Sequence, residues 1–169
     1  MITRALISCL ALLGVGSMFP QIAGPGRAQA AAGASQCHTA QLRGFIGGQN
    51  AGAGNLYTTL VLRNVGPGAC TLMGYPGVSL VDRLGRQIGQ PARWDAGVVR
   101  VVVLRPGGAA STTVHTLNPG VGTTNCLPPS TALRVYPPNE RTSLLVPARL
   151  SDCLGVVGVK PFVAGVNGL

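Results

Sequence analysis

Hydrophobic and polar residues alternate over short distances along most of this chain, and beyond residue 30 nothing repeats at the helical period. In "NLYTTLVLRN" (55–64), Leu56, Thr58, Leu60 and Leu62 fall on one side of an extended backbone. Tyr57, Thr59, Val61 and Arg63 fall on the other. "ALRVYP" (132–137) behaves alike, with Leu133 and Val135 directed inward and Arg134 and Tyr136 outward. Further alternating or β-branched runs occupy 39–46, 77–82, 86–92, 97–104, 110–117, 142–147 and 156–163. Arg100, set between valines in "VVRVVVL", reads as an outward charge on a central or edge strand.

Turn chemistry separates these runs: "GGQNAGAG", "NVGPGA", "RLGR", "RPGG", "NPGVGTTN" and "PPNE". About 8–9 short strands between Gly/Pro turns predict an all-β fold, an antiparallel two-sheet sandwich of immunoglobulin or fibronectin-III type. A closed barrel is the alternative. Gly74-Tyr75-Pro76-Gly77 reads as the bend between two strands, with Val78 and Leu80 inward after it. No linker splits the chain, so one domain is expected over 37–164, after a short flexible segment at 31–36. The tail 165–169 is expected to fray.

The N-terminus follows a different pattern. Arg4 precedes an apolar run from Ala5 to Phe19, Pro20 ends it, and "AQA" (28–30) has the small-x-small form of a signal-peptidase site. The run is shorter than the roughly 20 residues that a spanning helix needs. Residues 1–30 therefore read as a cleaved secretory signal, cut after Ala30 or Ala32, leaving no stable membrane span in the mature form. "LISC" resembles a lipobox, but Cys9 lies too early in the apolar run to be the lipidated residue.

Export changes the meaning of charge and cysteine. Arg4 and Arg27 leave with the signal, so eleven basic residues face Asp82, Asp95, Glu140 and Asp152, a net charge of +7. The arginines come singly and no nucleic-acid motif accompanies them, which excludes nucleic acid as partner and leaves an anionic envelope polymer. Four cysteines remain: Cys37, Cys70, Cys126 and Cys153. An even number in an exported chain argues for two disulfides, and without a C-x-x-C or a second ligand near His38 no metal site is expected. Of the three connectivities, Cys37–Cys70 and Cys126–Cys153 is favoured because each pair flanks a plausible hairpin.

Catalytic chemistry is scarce. Ser79 in "GVSLV" lacks the second glycine of a nucleophile elbow and sits inside a strand pattern. His115 alternates with Thr113 as an exposed strand residue, and Asp82 before "RLGR" reads as a turn carboxylate. Phosphate-binding glycine loops are missing, so no cofactor is expected. Trp94, in an apparent loop beside Arg93 and Asp95, reads as a lid over the sandwich end or as a ligand contact. Arg93, Tyr75 and Tyr136 are the other candidate contacts for a ligand or partner.

Several segments carry a resemblance: "CHTAQLRG", "NLYTTLVLRNVGPGACTLMGYPGVSLVDRLGRQIGQPA", "VVLRPGGAAS" and "NCLPPSTALRVYPPNE". Over nearly the whole chain from Cys37 to Phe162 they resemble a family of exported actinobacterial, often mycobacterial, proteins classed as a domain of unknown function, DUF4232. The resemblance implies a disulfide-bearing β-sandwich and supplies no catalytic residue. The expectation is a secreted or wall-associated, monomeric, non-enzymatic binding module with an unidentified envelope partner. A passive basic wall constituent is one alternative, and an envelope hydrolase using Ser79 or a hydroxyl near His115 is another.

Overall fold

A computed structural model describes residues 33–121 and 123–168; the signal segment at 1–30 and its cleavage positions lie outside these residues. Among the described residues, a 3-10 turn at Thr39–Gln41 is followed by twelve strands. These are β1 (Leu42–Gly52), β2 (Asn55–Asn64), β3 (Cys70–Met73), β4 (Gly77–Val81), β5 (Gln87–Ile88) and β6 (Arg93–Trp94). Then follow β7 (Val101–Leu104), β8 (Ala109–Leu117), β9 (Ala132–Tyr136), β10 (Leu144–Pro147), β11 (Val157–Val159) and β12 (Val163–Ala164). The protein is all-β, with no α-helix among the described residues.

Three sheets result. The largest runs β1-β2-β8-β11-β6, with β12 paired to the first part of β8. A four-stranded sheet runs β10-β9-β4-β5, and β3 pairs with β7 alone. All strand pairs are antiparallel except β11 with β6. Leu60, Val114, Val157 and Val159 of the six-stranded sheet pack against Val78, Leu80, Leu133, Val135 and Val146 of the four-stranded one. Leu42, Leu62 and Ala110 pack against Leu72, Val102, Leu104 and Phe162, with Cys37 and Cys70 among them. The molecule is thus a sandwich in which one layer is divided into two sheets lying side by side.

The division falls at the predicted bend. Gly74 has φ +103°, a conformation that a side chain would strain, and there the chain leaves β3 and its partner β7 to enter β4 beside β9. Val78 and Leu80 are fully buried after it, as the alternation requires. The Phe162 N–H donates to the Gly74 carbonyl at 3.0 Å, fastening the C-terminal segment to this corner.

The disulfides are Cys37–Cys70 and Cys126–Cys153, the pairing that the hairpins favour. Other expectations need correction. The described residues form twelve strands, not 8–9, because the sequence hides short ones. β3 has only four residues and begins on a cysteine, and 156–163 splits into β11 and β12 around Lys160 and Pro161, where Pro161 lacks an N–H to continue the ladder. "GGQNAGAG" is mostly strand: β1 continues to Gly52 opposite Asn55, leaving only Ala53 (φ +47°) and Gly54 (φ +78°) as a two-residue turn. Of 86–92 only Gln87–Ile88 is strand, and 97–100, with Arg100, precedes β7 rather than belonging to it. Residues 165–168 lie along β8 and are hydrogen-bonded to it. Gly168 N–H donates to Ser111 Oγ at 2.8 Å, and Gly165 N–H to the Ala109 carbonyl at 2.9 Å. That cover explains why Ser111 and Val61, on the outward side of their strands, are fully buried.

Candidate functional site

Strand register places side chains in crosswise rows on the outer face of the six-stranded sheet. Asn50 pairs with Tyr57, Tyr57 with His115, His115 with Gly158, and Gly158 with Arg93. All have the parity opposite to the buried Leu60, Val114 and Val159, so they share the outward surface. The row therefore runs Asn50, Tyr57, His115, Gly158, Arg93 and ends on the short strand β6.

His115 is the centre of this row. Its ring stacks on Tyr57, with centroids 5.1 Å apart and planes 18° from parallel. Its Nε2 lies 2.7 Å from Asn55 Oδ1, and its Nδ1 lies 3.9 Å from Asp95 Oδ2. Gly158 makes room for this arrangement, since a Cβ there would collide with the Asp95 carboxylate. Arg93, Asp95, His115 and residues 155–158 line a shallow cleft of about 170 Å³. Among the described residues Arg93 forms no ion pair.

Alternation along 93–95 sends Trp94 to the other side of the same edge. There it stacks on Tyr75, centroids 4.9 Å apart and planes 13° from parallel. The Tyr75 hydroxyl donates to the Asp95 carbonyl at 2.9 Å, so Tyr75 is held from both ends. Trp94 remains 69% exposed despite the stack. Of the four contact candidates, Trp94 and Tyr75 meet at β6 while Arg93 turns to the opposite side of that strand, and Trp94 belongs to a strand rather than to the loop that composition suggested. Tyr136 is elsewhere, on the outer face of the four-stranded sheet opposite Gly77.

The remaining polar groups serve the fold. Ser79 pairs with Arg134 on the outward side of the four-stranded sheet, so the whole sandwich separates it from His115. Arg134 Nη2 donates to the Gly85 carbonyl at 2.6 Å. Asp82 is the expected turn carboxylate. The Arg86 N–H lowers its pKa most, helped by the Arg86 guanidinium and the Leu84 N–H. Glu140 ties the 3-10 turn to the β9–β10 connection. The Thr39 N–H and then its hydroxyl lower its pKa, with His38 Nδ1 at 3.2 Å contributing less. Among the described residues no three His, Cys, Asp or Glu side chains cluster as metal ligands.

Neither the pairing of Asp95 with His115 nor that of Tyr75 with Trp94 is visible in the sequence, where the partners lie about twenty residues apart. The one local signal is Gly158 inside "VVGVK", since a glycine within a strand marks a close approach by another group.

The sequence model of a domain of unknown function, DUF4232, matches residues 37–163. The chain belongs to this family. The DUF4232 match covers every strand but the end of β12, both disulfides, the outer-face row and the Trp94 edge. No curated protein matches the sequence. A β-glucosidase from Kluyveromyces marxianus is a solved structure similar to it at 11% identity and a TM-score of 0.36. The superposition covers 70% of this chain and 14% of that one, and so loose a likeness carries no argument about the DUF4232 domain.

Proposed function

We propose that this DUF4232 domain is a secreted, non-enzymatic binding module of the bacterial cell envelope, and that it engages a wall polysaccharide through Trp94. The observation that carries this reading is the exposed Trp94 indole braced on Tyr75. One indole face is covered, and the other offers a rigid, amphipathic platform to a sugar ring. Little side-chain entropy remains to be lost when such a platform binds. Two disulfides and the signal-like N-terminal segment support export. Among the described residues no helix is long and apolar enough to cross a membrane.

The non-enzymatic part rests on the surroundings of His115. It has a carboxylate near one nitrogen, but its other nitrogen meets the Asn55 amide oxygen rather than a hydroxyl. Ser79 lies on the opposite face, and the Thr113 hydroxyl already donates to the Gly168 carbonyl. A fluorophosphonate serine-hydrolase probe is expected to leave the protein unlabelled, and stoichiometric labelling would overturn this part.

The binding reading is tested by co-sedimentation with insoluble bacterial wall carrying its covalently attached polysaccharide. Wild type is expected in the pellet and Trp94→Ala in the supernatant, with both melting at similar temperatures. Equal pelleting of the two, with release by moderate salt, would instead favour a passive basic wall constituent held by dispersed arginines. No pelleting at low salt refutes both.

A further inference from the structure

We infer that β7 is a docking edge for an extended peptide strand whose apolar centre is flanked by acidic residues. This surface is separate from the Trp94 platform and does not depend on it.

The hydrogen bonds of the small sheet identify the open edge. The Thr71 N–H donates to the Ser35 carbonyl, and the Thr71 carbonyl accepts from the Cys37 N–H, each at 2.9 Å. Both peptide groups of Thr71 therefore face the 35–37 segment, away from β7. In an antiparallel ladder successive residues turn their peptide groups to opposite sides. Cys70 and Leu72 thus bond across to their partners Leu104 and Val102. On β7 the intervening Val101 and Val103 turn their N–H and C=O groups outward. No backbone or side-chain group among the described residues takes them.

The side chains make this edge sticky as well as open. Val102 and Leu104 are buried, whereas Val101 is 59% and Val103 38% exposed, beside Met73 at 51%. Edge strands in free-standing proteins usually carry charges, prolines or bulges that prevent pairing, and β7 has none within its four residues. An exposed apolar strip with a polar rim is a common mark of an interaction surface.

Charge selects the occupant. Arg100 and Arg105 stand at the two ends of β7, both exposed. Arg100 also lines a cleft of about 250 Å³ with Lys160, Val98 and Pro161. No acidic residue occurs between Asp95 and Glu140. A second copy of the chain suits the edge poorly, because pairing one β7 with another gathers Arg100 and Arg105 of both copies at one seam with no acidic residue beside them. A peptide with acids at both ends and alternating β-branched residues between them satisfies the peptide groups, the valines and the arginines together.

The test uses the disulfide-bonded protein and a fluorescein-labelled peptide, Asp-Glu-Val-Thr-Val-Thr-Val-Glu-Asp. A control peptide carries Lys at the four acidic positions. Fluorescence polarisation is expected to give saturable binding of the acidic peptide only. In 15N spectra the Val101 and Val103 amides are expected to move most. Arg100→Glu with Arg105→Glu should weaken binding about tenfold or more. Val103→Pro should abolish it, since Pro there removes an N–H facing the open edge and spares the bonds to β3. Should Val103→Pro fail to fold, the charge reversal and the amide shifts still decide the matter. The proposal is overturned if the two peptides bind equally, or if millimolar acidic peptide leaves the Val101 and Val103 amides unmoved. It is also overturned if the protein dimerises through this edge in sedimentation, or binds phosphatidylglycerol vesicles while ignoring the peptide.

Discussion

The two disulfides close loops of similar length but stand in different surroundings, and removing each in turn separates two contributions to stability. Their sequence separations are 33 and 27 residues. On the chain-entropy relation these loops contribute about 3.7 and 3.6 kcal/mol, a difference too small to measure. Burial breaks the tie. Cys37, Cys70 and Cys153 are fully buried, the first two within the cluster of Leu42, Leu62, Leu72 and Phe162, whereas Cys126 is only half-buried. Replacing Cys37 and Cys70 by Ala removes two sulfurs, on the order of 40–50 Å³, from a packed core, which adds about 1 kcal/mol at ~24 cal/mol per Å³. The expected losses are about 4.7 kcal/mol for Cys37→Ala/Cys70→Ala and about 4.1 kcal/mol for Cys126→Ala/Cys153→Ala, where only one sulfur leaves a fully buried site. Urea unfolding followed by circular dichroism measures both, and a slope near 2 kcal/mol/M separates the midpoints by about 0.3 M. A Cys37→Ala/Cys70→Ala protein that fails to fold beside a folded Cys126→Ala/Cys153→Ala protein gives the same order. Coincident midpoints, or the reverse order, would refute the packing argument.

Glu140 has its pKa lowered in the folded state, so its contribution is full at neutral pH and is lost as pH falls through the folded value. Melting temperatures of wild type and Glu140→Gln should therefore differ at pH 7 and converge as the pH drops below the ordinary glutamate value of about 4.3; a gap that persists or widens in acid contradicts this. Gly158→Ala pushes the Asp95 carboxylate off β11, so the through-space NMR contact between Asp95 and His115 should vanish. Because a mobile carboxylate yields rather than backbone, stability should change by less than about 1 kcal/mol, and an unfolded protein would count against that account. Tyr75→Phe removes the hydroxyl bond to the Asp95 carbonyl and should cost about 1 kcal/mol in urea unfolding while keeping the stack. Since Trp94 is the single tryptophan, its emission reports on that stack directly, and a strong spectral shift in Tyr75→Phe would show the hydroxyl to be what holds it.

What the sequence determined by itself follows from short-range rules. Alternation of Leu56, Thr58, Leu60 and Leu62 set the faces of β2, and the same rule oriented Leu133 and Val135, because side chains of an extended chain alternate whatever lies beside it. Gly74-Tyr75-Pro76-Gly77 marked a corner, and hairpins between cysteines made the observed pairing the favoured one. Tertiary structure alone decided which strands lie side by side. Register brought His115 between Tyr57 and Gly158, and parallel pairing of β6 with β11 carried Asp95 to His115 and left Trp94 on Tyr75. It tied down residues 165–168 through single bonds to β8 that no tail composition encodes. It also left β7 open on one side, since a short run of three valines and a leucine reads alike in the middle of a sheet and at its edge. Contacts between strands distant in sequence depend on which neighbours the whole chain provides, and local pattern carries no record of them.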